Sequence, residues 1–117
     1  MATAEFWQRG ESLDYTNNTG AVIPHNTILQ IGSRLGVTGT VIEPGKIGSI
    51  HVGGVWEIAK TGTTAITMGQ TVYFDGTGIT DASSDGADTN PTAYVEAGYA
   101  AADAAADADT ILVKLRG

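Results

Sequence analysis

The chain has 117 residues, thirteen acids against six bases for a net charge of -7, no cysteine, and 42% hydrophobic residues. That length suits one domain around one core, residues 1–117, and the lack of cysteine excludes disulfides, thiolate metal sites and cysteine nucleophiles. Arg9, Arg34, Lys46, Lys60, Lys114 and Arg116 are spread along the chain without clustering, which opposes binding to nucleic acid, and no apolar stretch is long enough to span a bilayer.

The first residues carry an acid, Glu5, and lack both the basic start and the apolar run of a secretory signal, so export by that route is not expected. Phe6 and Trp7 follow, ahead of Gly10. Two readings stand for this pair: they complete the core of the domain, or they anchor an arm, residues 1–11, onto a partner.

Beyond the arm, sixteen glycines punctuate short runs rich in Val, Ile, Thr and Tyr. That pattern predicts an all-β fold, a barrel or sandwich of short strands with at most one short helix. Strands are predicted at 13–16, 27–31, 34–37, 39–42, 49–59, 71–74, 92–100 and 110–116. The clearest is 49–59, where Ile50, Val52, Gly54, Trp56 and Ile58 share one face and Ser49, His51, Gly53, Val55, Glu57 and Ala59 the other. Gly53-Gly54 in its middle signals a bulge or a close backbone approach. In the last strand Ile111, Val113 and Leu115 alternate with Leu112, Lys114 and Arg116, which predicts a chain end docked in a sheet. Glu43-Pro44-Gly45 and Asp75-Gly76 are turn signals, because proline presets φ and glycine accepts φ above zero. Residues 97–109 are rich in alanine and admit one short helix. An extended strand to about Ala100 followed by a loop is preferred, since so short an alanine helix is marginal without a packed face.

Residues that carry chemistry elsewhere are sparse. His25 and His51 are the only histidines and have no carboxylate or second histidine at a recurring catalytic or metal-binding spacing. No phosphate-binding glycine loop and no nucleophile elbow occurs, so no catalytic residue, cofactor or metal is expected. Asp81, Ser83, Asp85, Gly86 and Asp88 match the early positions of a calcium loop, but Thr92 stands where a bidentate Glu is needed, and an acidic solvated loop is the default. Eight of the thirteen acids lie from Asp75 onward, which predicts a hydrated, outward-facing half.

Several segments together resemble a known family. Glu5-Phe6 with residues 10–16, then 42–48, 54–60 and 66–75, then Gly98 before the closing run 108–115, are similar in kind and order to the capsid cement or head-decoration proteins of tailed phages. Some of those proteins carry an older recombinase-like label, which the missing nucleotide loop and basic surface do not support. The chain departs from the family pattern at 81–90 and 100–109. The resemblance implies a compact β-tulip or β-clip-like domain that forms a homotrimer and binds the major capsid protein on the outer surface of the expanded head. It would stabilise the virion without catalysis, and Phe6 and Trp7 would be its contacts with the shell. A second reading is a virion-surface carbohydrate- or cell-binding module, for which Trp56, Tyr73, Tyr94 and Tyr99 are the candidate aromatics. A third, an assembled hydrolytic site around His51, would need a nucleophile brought to it across strands.

Overall fold

In the computed structural model, which describes residues 2–6 and 10–116, two antiparallel sheets pack as a sandwich without closing into a barrel. The described residues include no helix. The first sheet contains β1 (Ser12–Thr16), β2 (Ile28–Ile31), β3 (Arg34–Thr38) and β4 (Ile47–His51) in the order β1-β4-β3-β2. The second contains β5 (Val55–Ala59), β6 (Thr71–Phe74), β7 (Ile79–Thr80), β8 (Val95–Ala100) and β9 (Thr110–Leu115) in the order β5-β9-β8-β6-β7.

Most predicted strands are present within a few residues, and two expectations are corrected. The long strand 49–59 is two strands in different sheets. Val52 stays buried under the first sheet, Gly54 turns at φ 89, and Val55 begins the second sheet. Residues 39–42 form no strand, because Gly39 N donates to Ser49 O at 2.9 Å and Ile42 makes an isolated bridge to Ile23 without a continuous ladder between them. The alanine-rich segment is strand to Ala100, as preferred, after which Ala104 bridges Ile66. Alanine's helix propensity loses there to long-range pairing with a buried isoleucine. The short β7 was not predicted.

The two sheets are copies of one backbone plan. Chain order runs strand, bridge and turn, two strands, bridge and turn, strand in both, and several connecting hydrogen bonds correspond. Ile23 and Ile42 exchange two backbone bonds at 2.9 Å, and so do Ile66 and Ala104 at 2.9 and 2.8 Å. Asn26 N donates to Thr38 O as Gly69 N does to Ala100 O, and Val52 N donates to Glu11 O as Leu115 N does to Gly54 O. Asn17 N donates to Lys46 O as Lys60 N does to Asp109 O. Thus β1, β2, β3 and β4 correspond to β5, β6, β8 and β9, and the second repeat adds β7 and the loop before β8.

Each residue of the Ile23–Ile42 and Ile66–Ala104 bridges opens a tight turn that we call a hook. In three hooks the third residue after the bridging isoleucine, Asn26, Gly45 or Gly69, has φ between 60 and 90, which explains glycine or asparagine there. Ile23 and Ile42 fold over Ile50 and Val52 to close a small core on one face of the first sheet. Ile66 and Ala104 do the same on the equivalent face of the second, joining Val72, Ile111, Val113 and Leu115.

The sheets stack in the same sense, the inner face of one against the hook-bearing face of the other. Ile28, Leu35 and Val37 on the free face of the first sheet join the core of the second with Trp56, Ile58 and Val95. The His51 and Trp56 rings meet at this junction, 5.5 Å apart and tilted by 40°.

Candidate functional site

Of the two arm residues singled out by sequence, Phe6 is 85% exposed and lies outside any strand, so it takes no part in the core. Trp7 lies outside the described residues. The four aromatics of the glycan-binding reading do not all share one surface. Trp56 is half-buried at the sheet junction, with Nε1 donating to Gly53 O at 2.9 Å, and Tyr94 lies in a separate depression with Gln30 and Phe74. Tyr99 stands on the outer face of the second sheet.

His25 is exposed, and His51 packs on Trp56 and over Gly39, where a Cβ would come within 2.6 Å of the ring. Among the described residues no three His, Asp or Glu side chains converge as a metal site. In the calcium-like segment the Asp85 carboxylate closes its own loop. Its Oδ1 accepts the amides of Ala87 at 3.0 Å and Thr92 at 3.1 Å, while Asp85 N donates to Thr92 O at 3.0 Å. The Ala87 and Thr92 amides hold this carboxyl below the usual range.

Asp75 organises the turn before β7. Partial burial pushes its carboxyl up, but the Thr61 hydroxyl at 2.6 Å and the Gly78 and Thr77 amides at 2.9 and 2.8 Å outweigh it, so the carboxyl sits below its ordinary value. A lowered carboxyl stabilises the fold above the unfolded value, near pH ~4, and that contribution is lost as pH falls through the folded value. Asp75→Asn keeps an acceptor for both amides. It is expected to lose less than about 1 kcal/mol at neutral pH, with the difference from the parent disappearing in acid. Thermal melts across that pH range check it, and a difference that grows in acid would contradict the assignment.

Two buried polar side chains occupy equivalent places in the repeats. Asn17 Nδ2 donates to Ala21 O at 2.7 Å and Ile42 O at 2.9 Å, and Lys60 Nζ donates to Gly62 O at 2.6 Å and Ala106 O at 3.0 Å. Each ties the end of a first strand to the hooks, so their role is to hold the scaffold.

One surface escaped the sequence reading as a unit. Val55, Tyr99 and Leu112 are 55%, 47% and 42% exposed and lie on the outer face of the second sheet, beside Lys114. Alternation set Val55 opposite Trp56 and Ile58 and set Leu112 opposite Ile111 and Val113, but only the β5-β9-β8 order makes them neighbours.

The described residues therefore present a braced all-β scaffold whose side chains hold backbone and form contact surfaces, the character of a structural binding protein. Residues 7–115 match the model of the phage cement protein family, and the chain belongs to that family. No curated protein and no solved structure matches it. Phage cement proteins are structural and non-catalytic, and this chain is accordingly a capsid decoration and stabilisation protein of the virion's capsid surface.

Proposed function

We propose that the protein, as a single domain over residues 1–117, coats the outside of the expanded phage head by binding the major capsid protein. It acts there as a homotrimer, with residues 1–11 serving as a shell-binding arm anchored by Phe6 and Trp7. The observation that carries the anchor reading is Phe6, a large apolar side chain 85% exposed ahead of the first strand. Such side chains contribute most when they fill a partner's pocket, and an arm that orders on binding covers much surface with few residues.

The work done is thermodynamic. A ligand that binds only the assembled, expanded lattice stabilises it by mass action, and three linked arms add multivalency. Phe6→Ala and Trp7→Ala are each expected to leave the fold intact while weakening attachment to expanded heads by at least about tenfold. Occupancy on purified heads, read by quantitative gel or cryo-EM, tests this. Unchanged occupancy in both variants overturns the anchor assignment.

A further inference from the structure

We infer that the outer face of the second sheet binds the hook-bearing face of the first sheet in a second copy of this chain, head to tail. The warrant is the internal repeat. Inside one chain, the free face of the first repeat packs on the hook-bearing face of the second, through Val37 and His51 against Trp56 and Ile58. The backbone equivalence assigns a counterpart to each of these residues. Val37 and His51 pair with each other in the first sheet as Tyr99 and Lys114 do in the second, and Leu13 and Tyr15 pair with β4 as Trp56 and Ile58 pair with β9. Among the described residues these counterparts are open to solvent in part: Tyr99 is 47% exposed and Leu13 39%, while Tyr15 and Lys114 are half-buried.

On the face in question the second repeat carries apolar residues at two positions where the first has serine, and Thr71 where the first has Ile28. Ser12 and Ser49 of the first sheet correspond to Val55 and Leu112 of the second, where both side chains are exposed. Exposed Val55, Tyr99 and Leu112 surround Lys114 on adjoining strands, and apolar side chains grouped on one exposed face mark an interaction surface. Its fitting occupant is the surface whose twin already covers its twin within the chain. A contact between two different faces is heterologous, so copies joined this way close into a ring or continue as a filament. The contact is between copies of the chain and stands apart from attachment to the shell.

The test uses the isolated full chain, without heads, so its failure is distinguishable from failure of shell binding. Leu112→Asp charges the outer face and Leu13→Asp the opposite one, both at exposed positions, and circular dichroism with a thermal melt verifies folding. Val55→Asp stands in if Leu112→Asp does not fold. Sedimentation velocity is expected to show self-association of the parent and at least about a tenfold weaker association of each variant. An equimolar mixture of the two variants should form dimers and nothing larger, because each supplies the one face the other has lost. A parent that stays monomeric at the highest soluble concentration, a mixture that stays monomeric, or a variant that still reaches the parent's mass would each overturn the inference.

Discussion

Gly98→Ala is expected to destabilise the protein by more than about 4 kcal/mol or to prevent folding, whereas Gly36→Ala, at the equivalent position of the first repeat, should change stability by less than about 1 kcal/mol. A Cβ at position 98 would sit 1.9 Å from Lys114 O and 3.0 Å from Arg116 N, both backbone atoms of the neighbouring strand β9. Gly98 also has φ 151, a conformation that L side chains rarely adopt. Relief would require moving β9 away, and β9 is paired on both sides and contributes Ile111, Val113 and Leu115 to the main core. At Gly36 the nearest atoms are the Cδ1 ends of Ile31 at 3.0 Å and Ile50 at 3.3 Å, which can shift by rotamer adjustment. The irregularity has a local origin. β6 and β8 shift register between Val72 and Tyr73, so Ala97 has no partner in β6, while on the β9 side its carbonyl accepts Arg116 N at 2.9 Å. Chemical denaturation of both variants measures the contrast, and equal effects at the two glycines would refute the close-approach explanation.

The second large effect is expected at Asn17. Asn17→Asp should destabilise the fold by about 3–5 kcal/mol at neutral pH, although it changes only one atom of the side chain. Asn17 is fully buried and its amide is saturated. Nδ2 donates to two carbonyls, and Oδ1 accepts both the Thr19 amide at 3.0 Å and the Thr19 hydroxyl at 2.6 Å. A carboxylate keeps the acceptor half of this arrangement but aims negative charge at the Ala21 and Ile42 carbonyl oxygens, with no donor to offer. Burial raises the pKa of such a carboxyl above its unfolded value. The ionisation part of the penalty is therefore absent at low pH, where the protonated acid still offers one donor for two carbonyls, and it grows as pH rises through and beyond the unfolded value, until the folded group ionises. Lys60→Met, at the equivalent site, removes two donated bonds together with a nearly buried charge. These effects oppose each other, and a loss of about 1–2 kcal/mol is expected. Urea melts of both variants at neutral and acidic pH check these values, and an Asn17→Asp protein as stable as the parent at neutral pH would rule out the hydrogen-bond assignment.

Much of the fold was legible because its signals are local. Alternation in 110–116 located β9 and its buried side chains, and Asp75-Gly76 and Glu43-Pro44-Gly45 marked turns in which Gly76 and Gly45 have positive φ. The same periodicity misled at 49–59. Val52 and Trp56 lie on the expected side of each piece, so the alternation runs unbroken across the Gly53-Gly54 link while the chain passes from one sheet to the other. Phe6 was legible as an apolar residue ahead of the first strand, but not as an exposed one, since composition does not say whether a core is already complete without it.

By itself the amino-acid sequence determined the all-β class, the turn positions, the lack of a local catalytic motif and the family resemblance. Each of these depends on residue type over a few neighbouring positions. Only the tertiary structure decided that the chain is a tandem repeat, that its sheets stack in the same sense, and that Val55, Tyr99 and Leu112 share an outer face. The repeat is written in backbone hydrogen bonds, which almost any side chain permits, and the paired sites Asn17 and Lys60 meet the same need with different residues. Strand order brings together residues far apart in the chain, and no local pattern encodes that proximity.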